Sequence, residues 1–259
     1  MAPTPDNSAH STPSSETGAV VRASLKTIAI GLFAALIIRT VLFQPFSIPS
    51  SSLVPTLLVG DYLFVSKYAY GYSRYSLPWN VVPAKGRLFS APPERGDIAV
   101  FRLPSDPSRD YIKRVIGLPG DTVQMVDNIL LINGKRVQRE PAGTFDTFDQ
   151  WGNAIKAPLV RETLPEGRSY VIMEREGPSS YWANTFLYQV PEGHYFMLGD
   201  NRDNSDDSRD LETMGYVPLD NFVGRAERVF FSLPPEEPKW QFWRWPQNIR
   251  WDRTFMPIY

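Results

Sequence analysis

Tyr111-Ile112-Lys113-Arg114-Val115-Ile116 is a short run of β-branched and aromatic residues broken by two cations. It is too short for an independent helix and has the composition of a strand. The runs around it read the same way. Tyr62-Leu-Phe-Val-Ser-Lys67, Asp97-Ile-Ala-Val-Phe-Arg102 and Ile129-Leu-Leu-Ile132 lie between clusters of Gly, Pro and Asp, and Asn133-Gly134 after the last is a hairpin-turn dipeptide. Tyr195-Phe-Met-Leu198 and Val223-Gly-Arg-Ala-Glu-Arg-Val-Phe-Phe231 complete the set. Beyond Pro45 there is no long helical pattern and no repeat, so the fold expected is mostly β, built from antiparallel sheets. If 111–116 is a strand, Lys113 shares a face with Tyr111 and Val115. A lysine on that face means either a shifted register or a functional amine, and composition alone favours the first.

Upstream the pattern differs. Thr27-Ile-Ala-Ile-Gly-Leu-Phe-Ala-Ala-Leu-Ile-Ile38 is apolar after its opening Thr, and Val41-Leu-Phe43 follows Arg39 and Thr40. The 17 residues from Thr27 to Phe43 are at the short end for a membrane span, with Arg39 near one end where it can snorkel. Arg22 and Lys26 precede the run, so the N-terminus is expected to stay cytoplasmic and the rest to be exported. A cleaved signal peptide or a buried core helix would share these features. The expected organisation is a disordered tail at 1–24, a single-pass anchor at 25–43, a β domain at 44–126 and 192–232, an inserted subdomain at 127–191, and a tail at 233–259. That tail interleaves Trp240, Trp243, Trp245 and Trp251 with Arg244, Arg250 and Arg253, which suits either a membrane interface or packing on the domain.

Composition removes several classes. A net charge of −1 gives no electrostatic footprint for nucleic acid. Cysteine is absent, so no disulfide, thiolate metal site or cysteine nucleophile is possible. The two histidines, His10 and His194, make a His-based triad depend on His194, which reads as a bystander before a strand. Neither a metal nor a cofactor is expected. Gly199-Asp-Asn-Arg-Asp-Asn-Ser-Asp-Asp-Ser-Arg209 has the alternating Asp and Asn of a calcium loop. It lacks the glycine and glutamate spacing, and Arg202 and Arg209 would repel a cation. Ser50-Ser51-Ser52, just past the apolar run, reads on composition as a solvated loop.

In order along the chain, four segments resemble the type I signal peptidases, membrane-anchored serine proteases of the Ser–Lys class. They are Pro49-Ser-Ser-Ser-Leu-Val-Pro-Thr-Leu-Leu-Val-Gly-Asp61, Arg95-Gly-Asp-Ile-Ala-Val-Phe101, Tyr111-Ile-Lys-Arg-Val-Ile-Gly-Leu-Pro-Gly-Asp121 and Gly199–Arg209, the last followed by Gly215-Tyr-Val-Pro218 and Val223-Gly-Arg-Ala226. The resemblance implies Ser52 as nucleophile and Lys113 as base, which explains a lysine on an apolar strand face: burial lowers an amine's pKa toward working pH. It further implies that Ser205 orients the amine, that Ser50 and the Ser52 N–H serve the oxyanion, and that Asp207 with Arg209 and Asp200 with Arg114 are structural pairs. Phe46, Ile48, Leu53, Leu57, Leu63, Val100, Tyr111 and Ile112 match pocket-lining positions, although any of them could be plain core. The implied partners are preproteins bearing signal peptides, cut after small residues at −1 and −3, and the lipid of the inner (plasma) membrane. Ser51 and Leu53 stand where the family usually has Gly and Met. The first bears on backbone freedom, and the second is a mild apolar exchange. Lys67 is the rival lysine. Two other classes share parts of this pattern: self-cleaving repressor-type proteases, which lack an anchor, and a non-catalytic anchored β scaffold.

Overall fold

A computed structural model describes residues 13–76, 86–148, 151–238 and 240–259. The chain divides into two compact units between Arg39 and Thr40. The first contains helix α1 (Pro13–Ile37). The helix starts well before residue 25, which corrects the expectation of disorder up to Ser24. Proline is tolerated in a first helical turn, and an apolar helix once nucleated extends through the polar residues before it. A π-helical turn, Ile38–Leu42, follows. Together Val20–Leu42 form 23 residues of helix, long and apolar enough to cross a membrane, with no part buried against protein. The core-helix alternative is thereby removed.

The described residues of the second unit form fourteen strands. Those that matter most to the site are β1 (Phe43–Ser47), β2 (Asp61–Ser66), β3 (Ile98–Arg102) and β4 (Asp110–Gly117). Next come β5 (Thr122–Val126), β6 (Ile129–Ile132), β7 (Lys135–Arg136), β8 (Gln138–Phe148), β9 (Ala154–Thr163) and β10 (Ser169–Met173). Last are β11 (Tyr188–Gln189), β12 (His194–Leu198), β13 (Val217–Pro218) and β14 (Phe222–Ser232). They form a seven-stranded sheet ordered β1-β2-β14-β3-β4-β12-β13, a four-stranded sheet β11-β5-β6-β7, and a three-stranded sheet β10-β9-β8. Every pairing between named strands is antiparallel. Asn133 and Gly134 both have positive φ and turn β6 into β7, as their dipeptide signals.

Three boundaries differ from the sequence expectation. Phe43 belongs to β1 rather than to the apolar helix, because its ring packs edge-on against Phe64 and Tyr68. β5, at the end of the segment expected in the β domain (44–126), pairs instead with β6 and β11 of the expected insert, because Asp127 and Asn128, both at positive φ, fold it into a hairpin. Among the described residues, 127–191 also have no separate core. Leu130, Ile132, Leu164, Tyr170 and Ile172 pack with Ile116, Phe196 and Leu198 of the large sheet in one buried cluster. The C-terminal segment packs on the domain: Val229 and Met256, and Ile258 and Glu227, share backbone hydrogen bonds, and Arg253 forks onto buried Asp61. Trp240, Trp243 and Trp251 nevertheless remain exposed.

Candidate active site

β4 carries Lys113 between two neighbours, β3 along its whole outer half and β12 only from Arg114 onward. Over Asp110–Lys113 the β12 side of β4 therefore has no partner strand among the described residues. Against this open stretch lies the loop Pro49–Ser52, and the two border a cleft of about 370 Å³ that also takes in Arg109, Tyr111, Ile112, Asn204 and Asp206. A larger cavity of about 780 Å³ lies elsewhere, lined by Tyr70, Arg95, Asp97 and Tyr195, and contains none of these groups.

Inside the cleft Lys113 Nζ donates to Ser52 Oγ at 2.5 Å, and both residues are buried. Burial drives the Lys113 amine down from 10.5 to about 8, against the opposing pull of Asp207, Asp206 and Asp200 and with help from Arg209. An amine so placed is partly neutral near physiological pH and can accept a proton from a hydroxyl it touches. Ser50 Oγ stands 3.4 Å from Ser52 Oγ. The Ser52 N–H donates to no backbone carbonyl among the described residues.

The polar loop after β12 holds the backbone of the serine segment. Asn201 N donates to the Ser52 carbonyl at 3.0 Å, and Asn201 Nδ2 donates to the Ser51 carbonyl, also at 3.0 Å. Gly199 is required here by space. A Cβ on it would stand 2.2 Å from Ser205 Oγ and 2.6 Å from the Ser52 carbonyl oxygen. The same figures place Ser205 beside Ser52, where its buried hydroxyl makes no hydrogen bond. Arg114 forks onto Asp200 with two 2.8 Å contacts, and Asp200 accepts from Thr56 Oγ1 at 2.6 Å. Arg209 forks onto Asp207, which accepts from Gly199 N. Burial alone would raise the Asp207 carboxyl, but Arg209 holds it below its ordinary range.

Of the residues singled out in the sequence, Ser50, Ser52, Lys113, Ser205, Asp207, Arg209, Asp200 and Arg114 are thus brought together. Tyr111 and Ile112 line the cleft. Ile48, Leu53, Leu57, Leu63 and Val100 are buried in one cluster with Phe46 and Ile112 packed against it; they back the cleft and do not line it. Ser51 keeps a negative φ, so the absence of glycine leaves no strain, and its hydroxyl accepts from Asn204 Nδ2 at 2.8 Å. Lys67 is also buried, but its amine donates to the Thr40 carbonyl. His194 Nδ1 lies 2.9 Å from the Glu192 carbonyl oxygen, and the residue does not line the cleft. Sequence reasoning passed over Asn201, Thr56 and Gly199, whose roles are contacts made across long stretches of chain; no local signal marks them.

Residues 21–231 match the family model described as "Signal peptidase, peptidase S26". The signal peptidase I of Rickettsia typhi is 39% identical over 94% of this chain and 96% of its own. That of Rickettsia prowazekii is 40% identical over 92% and 94%. A crystal structure of a signal peptidase I from Enterococcus faecalis is 31% identical and covers 52% of this chain and 97% of its own, with a TM-score of 0.30, a superposition too loose to bear on the fold. The chain thus belongs to the peptidase S26 family, the signal peptidases, serine endopeptidases that remove signal peptides, and its apolar N-terminal helix fits a membrane anchor.

Proposed function

We propose that Ser52 is the nucleophile and neutral Lys113 the general base in the removal of signal peptides from exported preproteins. The 2.5 Å contact between Ser52 Oγ and a buried Lys113 amine carries this reading. In the neutral form the same contact runs the other way, the hydroxyl donating to the amine nitrogen. As Ser52 Oγ attacks the scissile carbonyl carbon, its proton passes to Lys113, and the oxyanion is met by Ser50 Oγ–H and the Ser52 N–H. Lys113 then protonates the departing amine of the mature chain as the C–N bond breaks. Water, deprotonated by Lys113, hydrolyses the acyl-enzyme and frees the signal peptide. Ser205, beside Ser52 with its hydroxyl unbonded, is free to turn toward the amine and orient it, while the Arg114–Asp200 and Arg209–Asp207 pairs hold the surrounding backbone.

The substrate enters as an extended strand beside Asp110–Lys113, where β4 has an open edge. Tyr111 and Ile112 wall the cleft next to the nucleophile, backed by the apolar cluster of Ile48, Leu53, Leu57, Leu63 and Val100, and this favours small side chains at −1 and −3. The anchor is a single span with its N-terminus in the cytoplasm, as Arg22 and Lys26 before the apolar run support. The β domain then faces the exported side of the inner (plasma) membrane, where cleavage sites emerge.

Purified precursor protein tests the assignment. Ser52→Ala and Lys113→Ala should each abolish cleavage in a folded protein, and Lys113→Arg should fail as well, because guanidinium cannot give up its proton. His194→Ala should retain activity. Near-normal turnover by Lys113→Arg would remove the general-base role.

A further inference from the structure

The inserted strands reach the nucleophile through buried charge. Glu162 on β9 is fully buried and pairs with Arg202 of the polar loop, itself buried, through contacts of 2.5 Å and 3.3 Å. Tyr170 on β10 donates its hydroxyl to Glu162 at 2.7 Å and accepts from Arg202 at 3.1 Å. The face of the Tyr170 ring carries the Arg114 guanidinium 4.2 Å from its centre. Where β10 ends, Met173 N donates to the Asp200 carbonyl at 2.8 Å and Arg202 N donates back to the Met173 carbonyl at 3.0 Å, so the loop runs as a parallel bridge along the insert. The next contact along that loop is Asn201 N on the Ser52 carbonyl.

The loop is therefore clasped from both sides, by Ser52 on one and by the insert on the other. A buried arginine in such a place needs its carboxylate. Removing one partner of a buried pair leaves an uncompensated charge that the surrounding chain must move to relieve. The segment that carries this arginine is 199–204, which holds Ser52 through its carbonyl. Neither Glu162 nor Tyr170 lines the cleft, so neither is placed to touch substrate.

We propose that Glu162 and Tyr170 are positioning residues for the cleavage reaction, holding Ser52 in line with Lys113 through Arg202 and Asn201. This rests on the Ser52–Lys113 reading above. A displacement on the order of 1 Å at reacting atoms lowers turnover by about a hundredfold, so the effect should fall on kcat. KM for a short peptide should stay nearly constant, because the cleft walls are untouched.

The test compares Glu162→Gln, Tyr170→Phe, Glu162→Asp and Lys113→Ala in the full-length protein with a short peptide carrying Ala at −1 and −3. Rates are expressed per folded molecule and measured well below each variant's unfolding temperature. Glu162→Gln should lower kcat by about ten- to a hundredfold with KM within about twofold, Tyr170→Phe by less, and Glu162→Asp should recover part of the loss by restoring the charge. If Glu162→Gln does not fold, Tyr170→Phe decides alone, since it keeps the ring under Arg114. Wild-type kcat in the folded variants, with only a lowered melting temperature, would make the cluster purely structural and overturn the proposal. A fall in rate expressed wholly in KM would overturn it too. An active Lys113→Ala would instead sink the dyad reading, and that outcome is separable from the first.

Discussion

The pH dependence of cleavage is where the buried amine should show itself most directly. At its ordinary value of 10.5 Lys113 would be neutral in about one molecule in three thousand at pH 7; at about 8 it is neutral in about one in ten. Burial thus raises the population of neutral amine roughly three-hundredfold at neutral pH, equivalent to ~3 kcal/mol of ammonium destabilisation. With a short peptide carrying Ala at −1 and −3, kcat/KM should climb about tenfold per pH unit below neutrality, reach half its maximum near pH 8 and level off above about pH 9. Asp206 supplies a second handle. It lies exposed at the cleft and its charge raises the Lys113 pKa. Asp206→Asn should therefore move the midpoint to lower pH, by up to roughly half a unit for a charge in contact with solvent. A rate still rising in proportion to hydroxide beyond about pH 10 would show that the amine is not desolvated. An Asp206→Asn midpoint displaced upward would refute the electrostatics.

Burying an amine should also weaken the fold over a defined range. The folded-state pKa lies below the unfolded one, so between about 8 and 10.5 the unfolded chain binds more protons and stability rises with pH through that window. Lys113→Met should accordingly be more stable than the parent at pH 7 by up to ~3 kcal/mol, with the difference fading above about pH 10 in denaturant titrations; a variant that is less stable at every pH would contradict this. Gly199→Ala should fold yet lose most of its turnover, because the added methyl meets Ser205 Oγ and the Ser52 carbonyl; an active Gly199→Ala would mean that the loop yields freely. Deleting residues 1–39 leaves the β domain intact and should preserve peptide cleavage while sharply reducing cleavage of membrane-inserted precursors, since a shared surface raises effective concentration. The truncated protein should still float with lipid vesicles through exposed Trp240, Trp243 and Trp251, and Ser at these three positions should release it.

Local pattern was enough for the strands, because alternation and turn residues act over neighbouring positions. Each run singled out in the sequence from Tyr62 to Phe231 lies in or within a residue of a strand. Boundaries were less visible where distant contacts decide them, as at Phe43, held by Phe64 and Tyr68. The site shows the limit most clearly. Lys67 and Lys113 both sit in or just after short apolar strands, and both are 3% exposed. Nothing within six residues of either separates them. What does is the far partner: Thr40 for one and Ser52 for the other. The resemblance to a family supplied that choice; hydropathy could not. Glu162 and Tyr170 escaped for the same reason: their partners, Arg202 and Arg114, belong to distant segments of the chain.

The charges around Ser52 pose an energetic question that their purpose answers. Arg114, Arg202 and Arg209 are buried against Asp200, Glu162 and Asp207, and pairs of this kind are often no more stabilising than apolar residues of equal volume. An apolar core could hold the sheets together as well. It could not hold a glycine-containing polar loop in one conformation, since packing contacts are non-directional and leave the loop's own N–H and carbonyl groups without partners. The arginine forks are directional. Arg209 reaches the Arg202 carbonyl as well as Asp207, Arg114 reaches the Gly96 carbonyl as well as Asp200, and Asp207 receives Gly199 N. Each ion pair thus fixes backbone as well as side chain. Ser52 and Lys113 come from chain segments 61 residues apart, and their contact survives only if both backbones are held to a fraction of an ångström. Buried charge does that at little net gain in stability, and beside it an amine kept from water is held against the Ser52 hydroxyl.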